Sequence, residues 1–219
     1  MLLAYQLETS WAMYKKGIQI DQNKVKAIIE ARPPSSKKEL QRFLGQVNFL
    51  QRFISNTVGK TKVFSSLLRL RDEEEFVWTV EHQIAFEGIK AYLANPPMLM
   101  PPKGDKPLKL YKAAAEDSLG AFLAQDNEEG KEQAVYYLSR FLNSSECKYS
   151  AIKKLCLALY FAAMKLRYYL LPTTILVIAT TDLVKYMLSR PMLRGRISKW
   201  ILALSKFHLE YVPQKAVKG

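Results

Sequence analysis

The spacing of apolar residues changes once along this chain, at the segment Pro101-Pro102-Lys103-Gly104-Asp105. Before that segment, apolar residues recur every three or four positions, which is typical of amphipathic helices. After it, they alternate with polar residues, which is typical of half-buried strands. The segment itself has the proline and glycine content of a linker. We therefore predict two domains, a helical one over residues 1–100 and one built on a sheet over residues 101–219.

The clearest helix of the first domain follows Arg32-Pro33-Pro34. Ser36 with Glu39 three residues later predicts a capping box at its start. An earlier helix is expected after Asp21, which is a favourable capping residue. The apolar residues that fall on one face of the main helix are Leu40, Phe43, Leu44, Val47, Leu50 and Ile54.

The second domain begins with three short strands, followed by alternating helices and strands. The strands are expected around Leu108, Leu119 and Val135, with Val135 and Tyr137 on one alternating pattern. A helix over about residues 150–170 should bury Tyr168 and Tyr169, and residues 175–178 form a continuous apolar run typical of a fully buried strand. Helices near residues 181–188 and 197–207 and an edge strand at 209–212 complete the order. This order predicts an α+β fold with a mixed sheet and helices packed on it.

Composition restricts the class of partner and the compartment. Lys and Arg number 33 against 20 Asp and Glu, and the resulting net charge of +13 favours a polyanionic partner such as nucleic acid or an anionic membrane. The longest apolar stretch is interrupted by Lys165 and Arg167, so we interpret it as a buried helix and predict no membrane association. The chain starts without a basic leader, and its two cysteines have neither zinc-ligand spacing nor the number for a disulfide framework. We expect an intracellular protein of the cytoplasm or nucleus, not a secreted one.

Several stretches together resemble the Pol polyprotein of gypsy-type LTR retrotransposons, from the end of the reverse transcriptase palm through the thumb to the ribonuclease H-like domain. The most specific are LQRFLGQVNFLQRFI at 40–54, GAFLAQ at 120–125 and YYLSR at 136–140. The others lie, in family order, at residues 16–18, 24–28, 32–34, 76–78, 85–86, 95–97, 199–200 and 211–213. The resemblance implies a helical thumb-like part followed by a ribonuclease H-like mixed sheet with packed helices. The segments KYMLSRP and KAVKG favour a plant-type element.

The resemblance also implies where metal-binding acids should lie. Ribonuclease H-like enzymes hold two divalent metals with Asp and Glu, because hard cations prefer anionic oxygen ligands. Aligned on the matching motifs, the family's first acidic position falls on Ala113. Those of its helix motif fall on Lys153 and Leu155. The acid after the buried strand falls on Thr181 or its neighbour Thr180, and a last one is expected beyond Gly219. The family's Tyr-x-Asp-Asp polymerase turn does not occur in this sequence. We therefore predict no metal site, no cofactor and no catalytic residue.

Neighbouring acids offer an alternative. The acids that lie near the vacant positions are Glu116, Asp117, Glu146 and Asp182. A shift of one residue in a strand turns a side chain to the opposite face, so these acids are better explained as turn and capping residues. If they nevertheless converged, Mg or Mn would be the expected cofactor. His82 and His208 are far apart in sequence, and a structural role is favoured for both.

Basic residues gather at two places that favour contacts with phosphates. The first group opens the main helix of the first domain, whose family counterpart rests against template and primer; the second lies before and within the last helix. Ordinary solvated helix faces are the alternative explanation. The predicted nucleic-acid-binding residues are Lys37, Lys38, Arg42, Arg190, Arg194, Arg196 and Lys199.

Three functions remain open. The favoured one is a catalytically inactive connection or tether module that binds RNA/DNA hybrid or DNA beside other Pol domains, with no small-molecule substrate. The second is an active RNA/DNA-hybrid endonuclease that uses the displaced acids. The third is a decayed product without function.

Overall fold

The computed structural model describes residues 18, 20–71, 74–104, 106–189 and 195–214. These residues form two compact units, one made of the residues up to Ile54 with Val63–Pro101, the other of Ser55–Lys62 with the residues from Pro102 onward. The segment Ser55–Lys62 is held in the second unit by long-range contacts. The amide of Val58, for example, donates to Ser139 Oγ at 3.3 Å.

Helices make up the first unit, as the spacing of its apolar residues predicts. They are α1 (Gln22–Ile29), α2 (Lys37–Phe49), α4 (Ser65–Arg69) and α5 (Val80–Ala94), and the short helix between them in sequence, α3 (Thr57–Thr61), belongs to the second unit. Asp21 caps α1, since its Oδ1 accepts from the amide of Asn23 at 2.9 Å. The predicted cap at this residue is confirmed.

The start of α2 departs slightly from the predicted capping box. Ser36 Oγ accepts from the amide of Glu39 at 3.3 Å, as expected. The carboxylate of Glu39, however, accepts from the amide and hydroxyl of Ser35, at 2.8 and 2.9 Å, one residue earlier than the motif requires. The predicted apolar face also extends beyond the end of the helix. Leu40, Phe43 and Val47 are buried within α2, whereas Leu50 and Ile54 are buried beyond its end at Phe49.

Aromatic residues form the core of the first unit. Phe86 is fully buried on α5, with its ring 4.7 Å from that of Phe43 and 5.9 Å, edge on, from that of Trp78. Phe64 stacks on Trp78 at 5.7 Å. Ring pairs of this kind add to the stabilisation that burial provides. Phe64 lies directly before α4, and Trp78 lies two residues before α5. The cluster therefore packs α2 and α5 against the segments that lead into α4 and α5.

The second unit contains a five-stranded sheet, which confirms the predicted mixed sheet. Its order is β3-β2-β1-β4-β5. The β1–β2 and β2–β3 pairs are antiparallel, whereas β1–β4 and β4–β5 are parallel. The strands are β1 (Leu108–Ala114), β2 (Ser118–Asp126), β3 (Glu132–Phe141), β4 (Ile175–Ala179) and β5 (Leu209–Pro213).

Two predicted strand patterns are wrong in detail. In β3, the register shifts so that Tyr136 pairs with Leu123 and Ala134 with Ala124, leaving Val135 as the extra residue of a bulge. A bulge of one residue turns the following side chains to the other face. Val135 is therefore fully buried while Tyr137 stacks on Phe122 at 4.9 Å. In β4, burial alternates along the strand instead of covering both faces.

The helices of the second unit are shorter than the sequence indicates. The predicted helix over 150–170 ends at Lys165, because the backbone of the next residue, Leu166, leaves helical geometry with ψ 17°. Tyr168 is consequently 90% exposed, contrary to the prediction, while Tyr169 packs edge on against Tyr136 at 6.0 Å. The helices are α6 (Ser144–Cys147), α7 (Ala151–Lys165), α8 (Arg167–Leu170), α9 (Leu183–Leu188) and α10 (Arg196–Leu204).

Helix α7 supplies most of the helical side of the core of the second unit. Its residues Cys156, Leu159 and Ala162 are fully buried, in the same cluster as Leu108 and Leu110 of β1. Cys156 thus packs as a small apolar residue, as expected. Across the described ranges, the helices are too short or too polar for any of them to cross a bilayer.

Candidate functional site

The positions that lack the family's acids lie at one edge of the sheet. Strands β1 and β4 run parallel, with Tyr111 beside Ile178, so their carboxyl ends meet at the same edge. Ala113 follows near the end of β1, paired with Gly120 and exposed to solvent. Thr181 follows two residues after the end of β4. Neither side chain carries a charge, so neither is a ligand that a hard cation prefers.

The first turn of α7 is tied to this edge and brings cations to it. Lys154 is buried, and its ammonium donates to the carbonyl of Glu116, in the turn after β1, at 2.6 Å. The ammonium of its neighbour Lys153 lies 4.1 Å from the centre of the Tyr149 ring. Lys153 therefore places a positive charge at the position where the resemblance implies an acid.

Lys112 adds a further cation beside the edge. It precedes Ala113 in β1 and so lies on the opposite face of the strand. Its ammonium donates to the carbonyl of Ile178 on β4 at 2.7 Å. Burial lowers the pKa of Lys112 to about 8. The sequence did not identify this half-buried amine as part of the site. Lys112 follows Leu108 and Leu110 at alternate positions of β1, and this spacing indicates only that its side chain lies on the same face of the strand as theirs.

The hairpin turn between β1 and β2 carries two acids, Glu116 and Asp117. The Asp117 carboxylate pairs with Lys62 at 2.7 Å, and the hydrogen bond from that ammonium holds the pKa of Asp117 below its usual value. Glu116 contributes its backbone carbonyl to Lys154, as described above, and its side chain is exposed. Lys62 is 55 residues from Asp117 in sequence, so sequence patterns give no signal for this pair.

Glu146 is held by a bidentate arginine contact. Its two carboxylate oxygens accept from Arg140 at 2.7 and 2.9 Å, and one also accepts from the amide of Asn143 at 3.0 Å. Asn143 and Glu146 together form a capping box at the start of α6. The hydrogen bonds from Arg140 lower the pKa of Glu146 despite its burial. This carboxylate therefore has its acceptor positions occupied by donors of the protein.

Asp182 caps α9, its Oδ1 accepting from the amide of Lys185 at 3.0 Å. The side chains of Asp117, Glu146 and Asp182 are thus engaged in ion pairs and helix caps, whereas the Glu116 carboxylate is exposed. Within the ranges that the structure describes, no three His, Cys, Asp or Glu side chains come together as a metal ion requires. The side chains present at this edge do not fit the two-metal centre of ribonuclease H-like enzymes.

The two histidines have separate structural surroundings. His82 is buried in the first unit, and its Nδ1 lies 2.8 Å from the hydroxyl of Thr79 in a capping box of α5. His208 belongs to the second unit and is exposed, with its Nε2 3.1 Å from the carboxylate of Glu210. Within the second unit, His208 lies at the other end of the sheet, since its carbonyl accepts from the amide of Ile175, the first residue of β4.

The predicted basic residues have different surroundings. The ammonium of Lys37 donates to the carbonyl of Leu70 at 2.6 Å, and a contact between Lys37 and nucleic acid stays a prediction. Lys38 and Arg42 are exposed one helical turn apart on α2. On α10, Arg196 donates to the hydroxyl of Tyr149, and Lys199 is exposed one turn later. The predicted residues Arg190 and Arg194 lie outside the described residues.

A family model describes this region of the chain. Residues 78–177 match the RNase H-like domain found in reverse transcriptase. Among curated proteins, the chain is 30% identical over 201 residues to the retrovirus-related Pol polyprotein from transposon 297 of Drosophila melanogaster, covering 91% of this chain and 18% of that protein. It is also 30% identical over 207 residues to the transposon Tf2-3 polyprotein of Schizosaccharomyces pombe, covering 90% and 15%. The chain thus spans less than a quarter of the length of these relatives.

Solved structures show the same fold. The foamy viral protease-reverse transcriptase in complex with RNA/DNA hybrid superposes with a TM-score of 0.76 at 22% identity, covering 94% of this chain and 28% of that one. A second foamy viral structure, in complex with double-stranded DNA, gives a TM-score of 0.74 at 22% identity over 94% of this chain and 37% of that one. These matches confirm the predicted resemblance: residues 78–177 match the RNase H-like domain found in reverse transcriptase, and about nine tenths of the chain is similar to retrotransposon Pol polyproteins.

Proposed function

We propose that this chain is a connection module of a Pol polyprotein that binds nucleic acid and has lost ribonuclease H catalysis. The main support is Lys153, a cation at the position where the family's metal-binding acid is expected. An ammonium there repels divalent metal ions instead of binding them. Ala113 and Thr181 lack charge at the other two positions, so none of the three supplies an anionic ligand.

The engaged acids argue against catalysis by displaced ligands. Two-metal catalysis requires several carboxylates on the same pair of ions, about 4 Å apart. Asp117, Glu146 and Asp182 instead hold an ion pair and two helix caps. Releasing them to bind metal would remove these stabilising contacts.

Binding of nucleic acid is supported by the charge of the chain and by its structural relatives. The net charge is +13, and the exposed cations include Lys38, Arg42 and Lys199. The foamy viral relatives were solved with double-stranded DNA and with RNA/DNA hybrid. Because contacts to the backbone carry no sequence information, we expect binding without sequence preference. The helical unit would act as the thumb-like part, and other Pol domains would be the protein partners; a plant origin stays a prediction.

The test is binding of a labelled RNA/DNA hybrid, measured by fluorescence anisotropy at several salt concentrations. We expect the logarithm of the affinity to fall linearly with the logarithm of the salt concentration, with a slope of about −0.9 for each phosphate neutralised. The double variant Lys38→Gln with Arg42→Gln should reduce the slope by about two units. A matched pair of exposed lysines on the second unit, Lys165→Gln with Lys206→Gln, provides the control. Affinity that does not depend on salt, or no binding at all, would refute the proposed function.

A further inference from the structure

We infer that the edge of the sheet that lacks the family's acids binds a backbone phosphate directly, through Lys153 and Arg196 arranged on Tyr149. This inference rests on the proposed function, and it names the residues and the chemical group that are recognised. It also assigns a role to Lys153 beyond the loss of a metal ligand.

Tyr149 acts as the common support for the two cations. Its ring lies just before α7, with the Lys153 ammonium 4.1 Å from the ring centre. The Arg196 guanidinium, at the start of α10, lies 6.0 Å from the same centre and donates to the tyrosine hydroxyl. The two charges are therefore within about 10 Å of each other. Tyr149 is half-buried and close to Trp200, with ring centres 6.3 Å apart, so the position of the ring is constrained.

The balance of charge around Tyr149 favours an added anion. Two positive charges at this separation repel each other, because the separation is comparable to the Debye length of about 8–10 Å at physiological salt and the repulsion is only partly screened. The acid nearest to them in sequence is Glu146, whose two oxygens accept from Arg140. Its carboxylate also attracts Arg196, so this one negative charge is shared between two arginines, and the group keeps a positive balance when Lys153 is counted. The aromatic ring attracts both cations by its quadrupole but adds no negative charge. An anion that contacts both cations would relieve their repulsion.

The chemistry of the two side chains selects a phosphate as that anion. Arginine presents planar N–H donors that match phosphate oxygens, and lysine provides a compact charge with three donors. Because Lys153 and Arg196 supply the positive charge themselves, this contact needs no divalent metal. In a metal-dependent relative, acids at this edge would repel phosphate unless metals were bound; here the sign of the local charge is reversed.

The test compares two charge reversals on the same helix. Lys153→Glu reverses the charge beside Tyr149, whereas Lys165→Glu makes the same change at an exposed position at the other end of α7. Affinity for a labelled RNA/DNA hybrid is measured by anisotropy, with the wild-type chain assayed both in chelator and in magnesium. We expect Lys153→Glu to weaken binding roughly tenfold or more and to reduce the salt slope by about one to two units. Lys165→Glu should change affinity less than threefold, and chelator should leave wild-type affinity unchanged.

Further variants distinguish the loss of a phosphate contact from the loss of folding. Lys153→Arg should retain wild-type affinity, and Arg196→Gln should weaken binding without altering the first turn of α7. If Lys153→Glu lowers the melting temperature strongly, Arg196→Gln decides the question. If the wild-type chain binds and the Lys153→Glu and Lys165→Glu variants have equal affinities, the phosphate site is overturned and the proposed function stands. Loss of wild-type binding in chelator would overturn the phosphate site and would also contradict the absence of metal binding on which the proposed function rests. Failure of the wild-type chain to bind the hybrid would overturn the proposed function itself.

Discussion

Substitution of Glu146 by Gln distinguishes a structural acid from a metal ligand. The carboxylate receives two hydrogen bonds from Arg140, at 2.7 and 2.9 Å, and a third from Asn143. Hydrogen bonds to charged groups contribute about 1.5–3 kcal/mol each. Glutamine keeps one acceptor oxygen but turns an NH₂ group toward the guanidinium, so about one such bond is lost. We expect the free energy of unfolding to fall by about 2–3 kcal/mol.

The pH dependence of this effect has a definite sign. The pKa of Glu146 is lowered in the folded chain, chiefly by its hydrogen bonds to Arg140. Its stabilising contribution is therefore fully present above the unfolded-state value of 4.5 and is lost as the pH falls through the lower folded-state value. The difference in stability between wild type and Glu146→Gln should accordingly shrink below that pH.

Calorimetric melting between pH 3 and 7 measures both effects. For a chain of this length, a loss of 1 kcal/mol lowers Tm by about 2–4 °C, so a decrease of roughly 6 °C is expected at pH 7. The matched control is Glu129→Gln, since that side chain is 71% exposed and pairs with Lys131 at the surface. The control should change stability by less than about 0.5 kcal/mol. An unchanged Tm for Glu146→Gln, with altered binding of Mn²⁺, would refute the structural role.

Three further substitutions test other parts of the account. The pKa of Lys112 is about 8 in the folded chain, where burial lowers it, and 10.5 in the unfolded chain. Between these values the unfolded chain binds more protons, so wild-type stability should rise with pH across that window. Lys112→Met should abolish this rise, as urea titrations at pH 7.5 and 10 would reveal; a rise that persists would assign it to another group. Asp182→Ala should cost about 1 kcal/mol as a lost helix cap, whereas Asp182→Asn should restore stability, and a loss with Asn equal to that with Ala in thermal melts would refute the capping role. Phe86→Ala should cost about 3–5 kcal/mol, because Phe86 is fully buried against Phe43 and Trp78, and a loss below 1 kcal/mol by urea unfolding would contradict that packing.

The sequence predicts the order of elements well, because that order depends on local periodicity. The caps at Asp21 and Asp182 are examples, since each acid directly precedes its helix. The bulge at Val135 and the break at Leu166 were missed, because neither carries a glycine or proline to mark it. Both depend on how the strand and the helix pack in three dimensions.

The candidate site was predicted less completely than the fold. Ala113, Lys153 and Thr181 were found through the resemblance, which relies on motif alignment. The partners of the acids were not found, because Lys62 with Asp117 and Arg140 with Glu146 follow no helical or strand spacing. No sequence pattern marks Tyr149 as part of the site, because its contacts with Lys153 and Arg196 arise from the packing of α7 beside α10.

Hydrolysis of an RNA/DNA hybrid tests the central claim most directly. The purified chain is incubated with a hybrid labelled on its RNA strand, in magnesium and then in manganese, and the products are resolved on a denaturing gel beside a chelator control. The account predicts that the RNA strand remains intact in both metals while anisotropy shows that the hybrid is bound. Metal-dependent cutting that is absent in chelator, and that is abolished by Asp182→Asn, would contradict it.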